Sequence, residues 1–271
     1  MKVACIQPKI LKNRVLCYNE IERILKNLLE THKNCDIVCL PERWVPFFRD
    51  QAQNFQKQRG NDYKFISRLA KEYKINFISG AIWEKRPRSR PFITCYLFDK
   101  YGEEIGRQDK IHLYGYEREN FKSSKELKIF NINNTYRFTI LICFDMAFLE
   151  TPRLASENGA DILFSPTQIR ADGMDNWYVY LKARALENRI PIVACNSFGN
   201  YYRRKFPGNS KIISFQSGKI SPSKLKIIEA PINSSGFIFD DIDLAFPKKL
   251  RKIRFNEKID KNNIKVKIIN N

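Results

Sequence analysis

The feature of this 271-residue chain that most constrains its fold is an alternation of strand-like and helix-like segments. Short apolar runs rich in β-branched and aromatic residues predict seven strands, and four segments with apolar residues at helical spacing predict helices between several of them. The predicted strands are Val3–Ile6, Asp36–Leu40, Ile75–Ile82, Phe92–Phe98, Arg137–Ile142, Asp161–Phe164 and Pro191–Cys195. The predicted helices are Cys17–Glu30, Asp62–Tyr73, Glu150–Asn158 and Met174–Arg189. Such an alternation is typical of a layered α/β domain.

Reactive side chains follow two of the predicted strands and one polar, alternating stretch. The segment "DIVCLPERW" ends in Glu42, "EEIGRQDKIHLY" contains Lys110, and "TILICFDMAF" contains Cys143. Reactive groups of α/β proteins lie where strands run out into loops. A thiol needs a base or a nearby cation to attack at neutral pH, a carboxylate can carry its proton, and an ammonium can stabilise an oxyanion. The three residues therefore form a chemically complete set for nucleophilic catalysis.

Each of the three residues also has a purely structural explanation when it is taken alone. Free cysteine is among the most buried residue types, so Cys143 could be a core thiol. Glu42 could be a loop carboxylate near a helix start, and Lys110 could be one of many exposed lysines. The decision between these alternatives depends on the order and spacing of the motifs around them.

Those motifs resemble the nitrilase, or carbon–nitrogen hydrolase, superfamily over about residues 1–240. The matching segments, in order, are "MKVACIQ", "LPERW", "DKIHLYGYERENF", "ICFDMAFLE", "NGADILFSP", "KARALENRIPIVACNSFG" and "PGNSKII". The resemblance implies a four-layer α-β-β-α sandwich, which we place at residues 1–246. The basic composition of the remaining segment, 247–271, predicts an extension that is an arm or partly disordered. Leu149 stands where the family usually has a proline, a departure that leaves the three reactive residues intact.

The resemblance also implies the roles of individual residues. Cys143 takes the position of the nucleophile, Glu42 that of the catalytic base, and Glu117 that of an accessory glutamate. Lys110 and the backbone N–H of Phe144 take the positions that stabilise the oxyanion. The implied reaction is the conversion of a small amide to a carboxylic acid and ammonia through a Cys143 thioester, without a metal or organic cofactor. The alternatives on the same fold are a nitrilase and an N-carbamoyl amidohydrolase.

Substrate selection is expected from the loops that follow Glu42 and the nucleophile strand. Trp44 and Trp177 are candidates for an apolar wall, and Arg170 is a candidate for recognising a polar end of the substrate. The alternative for the aromatic residues is that they serve packing or dimer contacts.

Two further hypotheses come from other features of the chain. His112 lies two residues past Lys110 and could pair with Cys143 as the base of a different cysteine hydrolase, although the resemblance implies a structural role for it. The net charge of +19 would suit a nucleic-acid-binding or scaffold protein. Because no helix-turn-helix, zinc-finger or RNP-type pattern accompanies the charge, a lysine-rich solvated surface is the favoured interpretation.

The remaining expectations concern the cellular location of the protein, its oligomeric state and its substrate. The start of the sequence lacks the pattern of a signal peptide, and no window of 18 apolar residues occurs. Together with seven cysteines, this predicts a cytoplasmic protein with free thiols and no contact with a membrane. The resemblance implies a homodimer or higher homo-oligomer that acts on a small-molecule amide or a related substrate.

Overall fold

The computed structural model describes residues 1–48, 50–132, 135–201 and 204–269. The strands are β1 (Lys2–Gln7), β2 (Ile37–Cys39), β3 (Gln56–Lys57), β4 (Asn76–Lys85), β5 (Phe92–Phe98), β6 (Glu104–Asp109), β7 (Ile129–Ile132), β8 (Tyr136–Ile140), β9 (Ile162–Thr167), β10 (Ile192–Asn196), β11 (Phe198–Tyr201), β12 (Arg204–Pro207), β13 (Lys211–Phe215), β14 (Leu225–Glu229) and β15 (Gly236–Asp241). The helices are α1 (Arg14–Thr31), α2 (Asn61–Tyr73), α3 (Glu117–Asn120), α4 (Glu150–Glu157), α5 (Met174–Asn188) and α6 (Ala245–Asn256).

The strands form two large sheets and one hairpin. The first sheet has the order β15-β1-β2-β4-β5-β6, with the short β3 paired to the end of β4. The second sheet has the order β14-β13-β10-β9-β8-β7, and β11 pairs with β12 as a separate hairpin. In each sheet the central strands are parallel, β1-β2-β4 in the first and β8-β9-β10 in the second, and antiparallel strands flank them. Parallel neighbours require helical crossovers, which places helices on the sheet faces.

The alternation of side chains along each strand separates three apolar cores. On β1, Val3 and Cys5 pack into the core between the two sheets, whereas Ala4 and Ile6 pack towards α1 and α2. A third core lies between the second sheet and helices α4 and α5. The layers therefore run helix, sheet, sheet, helix, and the predicted four-layer α-β-β-α sandwich is confirmed.

The C-terminal part of the chain begins with a packed helix. Pro247, Leu250 and Arg251 of α6 are buried, and the Arg251 guanidinium donates a hydrogen bond to the carbonyl oxygen of Ala160. Residues 257–269 are exposed, and the last two residues of the predicted extension, 270 and 271, lie outside the described residues. None of the helices in the described ranges combines the length and the apolar character needed to cross a membrane.

Candidate active site

Three strand ends from the two sheets converge on one cavity of about 310 Å³. Glu42 follows β2 and Lys110 follows β6 in the first sheet, while Cys143 follows β8 in the second. All three side chains line the cavity, together with Glu117 at the start of α3. The structure thus brings together the four residues to which the family resemblance assigns catalytic roles.

The backbone around Glu42 is placed by contacts with both sheets. Its N–H donates to the carbonyl oxygen of Thr167 at the end of β9, over 3.1 Å. On the other side, Gly80 occupies an irregular point in the pairing of β4 with β5 and has a φ of +68°. A Cβ atom at Gly80 would lie 2.1 Å from the carbonyl oxygen of Pro41, so only glycine permits this approach.

Lys110 lies between two carboxylates at the bottom of the cavity. Its Nζ is 2.7 Å from Oε1 of Glu42 and 2.9 Å from Oε2 of Glu117, and all three side chains are at least 90% buried. The Glu117 carboxylate also accepts the backbone N–H of Tyr114 over 2.8 Å. A buried ion cluster is stable only when each charge keeps close partners, so these contacts fix the positions of both carboxylates.

Burial and the charge of the ion-pair partner shift the pKa values of Lys110 and Glu117 in opposite directions. Burial disfavours the ammonium of Lys110, but the negative charges of Glu42 and Glu117 outweigh this effect and hold the pKa of Lys110 well above its ordinary value. Burial raises the pKa of Glu117, against the opposing effect of Lys110, and the charge of Glu42 raises it further. Lys110 is therefore a permanent cation at neutral pH, able to stabilise developing negative charge.

Cys143 occupies a strained backbone conformation at the start of a short 3-10 turn. Its φ is +48°, in the left-handed region that is costly for residues with a side chain. The buried carboxylate of Asp145 accepts the N–H of Ile142 over 2.9 Å and that of His112 over 2.6 Å. At the other end of the turn, Arg184 donates to the carbonyl oxygen of Ala147 over 2.9 Å. These hydrogen bonds stabilise the strained backbone conformation in which the Cys143 thiol lines the cavity.

We expect Asp145→Asn to lower turnover and stability together. An amide has only one acceptor oxygen, so its NH₂ group would face either the Ile142 N–H or the His112 N–H, and a buried donor would lose its partner. The expected loss in the free energy of unfolding is about 1–3 kcal/mol, with a fall mainly in kcat as the thiol moves. Thermal unfolding and steady-state kinetics measure the two effects.

Asp99→Asn is the matched control for that variant. Asp99 also accepts two backbone N–H groups, those of Tyr101 and Glu103, but in a surface turn that does not contribute to the cavity. Because both N–H groups bind the same oxygen, Oδ1, the amide oxygen of Asp99→Asn can still accept both hydrogen bonds, so this variant should change neither stability nor turnover. Equal kinetics for both variants would contradict the positioning role of Asp145.

The environment of Cys143 differs from that of most other cysteines. Five of the seven cysteines are buried, whereas Cys143 is half-buried and lines the cavity. Burial of the thiol group raises the pKa of Cys143 well above its ordinary value, and the charge of Glu42 adds to this effect while that of Lys110 opposes it. The resting site therefore holds a neutral thiol, which becomes a nucleophile when a base removes its proton.

The raised pKa predicts how Cys143 reacts with iodoacetamide. Because the thiolate is the reactive form, the rate of alkylation should still be rising at pH 9 instead of levelling off near neutrality. Intact mass and peptide mapping, recorded between pH 6 and pH 10, measure this rate for each cysteine. A plateau near pH 7 would indicate a preformed thiolate and contradict the assignment.

The predicted oxyanion position combines a side chain and a backbone group. Phe144 is the second residue of the 3-10 turn and lines the cavity. The first N–H groups of a helical turn have no acceptor within that turn, so the Phe144 N–H is available to a ligand. This N–H and the Lys110 ammonium are the two donors to which the sequence resemblance assigns the oxyanion.

The predicted substrate-binding residues separate into two groups. Arg170 and Trp177 line the cavity, Arg170 from the connection between β9 and α5 and Trp177 from the first turns of α5. Trp44 is absent from the cavity lining of the described residues. It is 1% exposed in the core between the first sheet and its helices, and its indole N–H donates to the carbonyl oxygen of Ser79 over 2.8 Å. The structure therefore corrects the prediction: Trp44 shapes the site only through packing.

His112 lies outside the cavity that contains Lys110 and Cys143. Its Nδ1 is 3.1 Å from Oδ1 of Asp145, its ring stacks on Phe148 at 4.0 Å, and it contributes to a different surface groove from the one that contains Cys143. This placement supports a structural role for His112 and not a pairing with the thiol.

Other residues of the cavity were not identified from the sequence. Tyr114 and Tyr116 come from the loop before Glu117, and Arg204 and Phe206 come from β12. No periodic signal marks these positions, because the loop is irregular and the β11–β12 hairpin is short. Across the ranges that the structure describes, no group of three or more His, Cys, Asp and Glu side chains is arranged to hold a metal ion.

Comparison with protein families gives a match over nearly the whole chain. The family model described as carbon-nitrogen hydrolase matches residues 2–245. A probable nitrilase of Schizosaccharomyces pombe is 30% identical over 262 residues, which cover 92% of this chain and 91% of that protein. The 2-oxoglutaramate amidase of Bacillus subtilis is 28% identical over 187 residues, covering 67% of this chain and 71% of that enzyme.

Comparison with solved structures agrees with the observed fold. The crystal structure of Nit3 of Saccharomyces cerevisiae, a member of branch 10 of the nitrilase superfamily, matches with a TM-score of 0.80. The match covers 93% of each chain at 21% sequence identity. At that identity the likeness establishes the architecture of the four layers.

Proposed function

The chain belongs to the carbon–nitrogen hydrolase family, and from this premise we propose that it cleaves the amide bond of a small molecule through a thioester on Cys143. The observation that carries the proposal is the buried Glu42–Lys110–Glu117 cluster, which shares one cavity with a half-buried thiol on a strained turn. Amidase relatives support an amidase-type reaction.

In the first half of the reaction the substrate acylates the thiol. Glu42 accepts the proton of Cys143 as Sγ attacks the carbonyl carbon. The carbonyl oxygen becomes an oxyanion, which accepts hydrogen bonds from the Lys110 ammonium and the Phe144 N–H. Glu42 then passes the proton to the amide nitrogen, the C–N bond breaks, and ammonia leaves with the acyl group bound to Sγ.

In the second half water releases the acid. Glu42 takes a proton from a water molecule as its oxygen adds to the thioester carbon, and the same two donors stabilise the second oxyanion. The C–S bond breaks and the proton on Glu42 returns to the sulfur, so the thiol is restored. Glu117 holds the Lys110 ammonium in place throughout, since its carboxylate binds both Lys110 and the Tyr114 N–H.

The size of the cavity supports a small substrate. A volume of about 310 Å³ is at the lower end of the range for ligand sites. The same nucleophile could attack a nitrile or a carbamoyl group, so the activity test includes all three. Purified protein is incubated with matched amides, nitriles and N-carbamoyl compounds, and ammonia release is recorded with intact mass. Amide-dependent ammonia with an acyl adduct on Cys143 supports the proposal, and ammonia from nitriles alone would contradict it.

A further inference from the structure

We propose that a groove in the helical layer of the second sheet binds the phosphoryl groups of a small phosphorylated molecule, and that Arg153, Arg189 and Arg254 hold them. The groove shares no lining residue with the catalytic cavity. It is therefore a second binding site, and its occupant is a molecule other than the amide substrate.

Three helices each contribute one arginine to this groove. Arg153 belongs to α4, Arg189 directly follows the last residue of α5, and Arg254 is in the last turn of α6. Residues 220–223, in the connection between β13 and β14, form the remaining wall. The volume is about 700 Å³, which is within the range of sites for small ligands.

The carboxylates near the groove compensate little of this positive charge. Glu187 lines the groove, but its carboxylate is bound to Arg184 at 3.0 Å. Glu257 is 3.9 Å from Arg254, and because both side chains are exposed this contact contributes little. The other two arginines of the groove have no carboxylate within ion-pair distance in the described parts of the chain. The groove therefore carries a net positive charge.

Two of the arginines are close enough to repel each other. Partial burial lowers the pKa of the Arg189 guanidinium, and the charge of Arg254 lowers it further, against a smaller opposing effect of Glu257. Arginine stays protonated in proteins, so the empty groove retains this repulsion. An anion placed between the two guanidiniums would replace the repulsion by two attractions.

The neighbouring turn of α6 adds a further cation. Arg251 precedes Arg254 by three residues and so lies on a similar face of the helix. It is 6% exposed, and its Nε and Nη2 have no hydrogen-bond acceptor among the described residues. Arg251 does not line the groove, but its charge strengthens the positive potential around it.

The residue types in the groove favour a phosphoryl group over a carboxylate. A guanidinium binds two oxygens of an anion at once, and a phosphoryl group presents three terminal oxygens to cations that approach from different sides. A carboxylate has only two oxygens in one plane. All three groove cations are arginines in a lysine-rich chain. Leu186, Ile220 and Pro222 line the same groove and provide apolar contacts for the organic part of the molecule.

The test titrates inorganic pyrophosphate into the wild-type protein and three variants by calorimetry, in magnesium-free buffer with about 150 mM salt. Arg189→Gln and Arg254→Gln each remove one groove cation. Lys252→Gln is the matched control, because it removes the same charge from α6 at an exposed position outside the groove lining. Citrate, a carboxylate of similar charge, tests selection for phosphoryl groups, and a short single-stranded RNA tests a nucleic acid as the occupant.

We expect the wild-type protein to bind pyrophosphate and each groove variant to raise Kd by about 10- to 100-fold, because each loses a charge-assisted hydrogen-bonding partner. Lys252→Gln should change Kd by less than about twofold. Pyrophosphate should raise the unfolding temperature of the wild-type protein, whereas Arg254→Gln should unfold cooperatively at a temperature that the ligand does not change.

Equal losses of affinity in all three variants would mean that pyrophosphate responds only to the overall charge of the protein, and would overturn the proposal. Equal affinity for citrate and pyrophosphate would overturn the assignment to phosphoryl groups. A wild-type protein that binds RNA but not pyrophosphate, or that binds neither, would also contradict the proposal.

Discussion

Replacing Cys143 by alanine is expected to lower amide hydrolysis by at least about four orders of magnitude while the protein stays folded. The sulfur forms the bond to the substrate carbon, and a methyl group cannot replace it. Because alanine is smaller and its backbone requirements are similar, the strained turn should persist with its contacts to Asp145. Ammonia release and thermal unfolding, measured on the same preparation, separate loss of chemistry from loss of structure.

Cys35→Ala provides the control for that experiment. Cys35 is the other half-buried cysteine, but its sulfur lies beside the carbonyl oxygens of Lys2 and Ile37, away from the cavity lining. It should retain the wild-type rate. An amidase rate that survives in Cys143→Ala would refute the thioester mechanism.

Replacing Lys110 by methionine is expected to abolish turnover and to lower the free energy of unfolding by about 3–5 kcal/mol. The ammonium is 1% exposed and is the close counterion of Glu42 and Glu117. Without it, two buried carboxylates face each other with no charge between them, and the oxyanion loses one of its donors. Chemical denaturation and steady-state kinetics measure the two losses.

The stability loss of Lys110→Met should depend on pH in a defined direction. Burial already raises the pKa of Glu117, and removal of Lys110 removes the principal opposing effect, so this pKa rises further. A carboxyl group with a raised pKa in the folded state favours folding when it is protonated. The loss in the free energy of unfolding should therefore be largest at pH values above the pKa that Glu117 has in the folded variant. It should be smallest below about pH 4, near the ordinary pKa of glutamate.

The double variant Lys110→Met/Glu117→Gln tests this explanation. It removes one of the two buried negative charges and should recover part of the lost stability at neutral pH. Turnover should remain absent, since the oxyanion donor is still missing. Equal stability of the single and double variants would mean that carboxylate repulsion is not the cause.

Much of the architecture was predictable because it depends on short-range patterns. A strand such as Phe92–Phe98 matches its predicted bounds because apolar and β-branched residues specify a buried strand locally. Helix ends were similarly close, as in Met174–Asn188 against the predicted Met174–Arg189. The β11–β12 hairpin was missed, since a short strand pair with charged residues has no periodic signal.

The placement of individual side chains was harder to predict than the elements that carry them. Trp44 follows Glu42 by two residues, yet it packs into the core, because Gly80 leaves room for its indole ring. Arg204 is far from the catalytic motifs in sequence, yet it lines their cavity. Both outcomes depend on contacts between segments that are distant along the chain.

The sequence by itself determined the layered α/β class and the order of the motifs that contain Glu42, Lys110 and Cys143, because strand and helix patterns are encoded in neighbouring residues. Only the tertiary structure decided that these three residues and Glu117 share one cavity, that Asp145 holds the turn of Cys143, and that a separate hairpin supplies an outer cation. The physical reason is that local periodicity sets which face a residue takes, whereas burial, ion pairing and cavity shape arise from packing between strands of two different sheets.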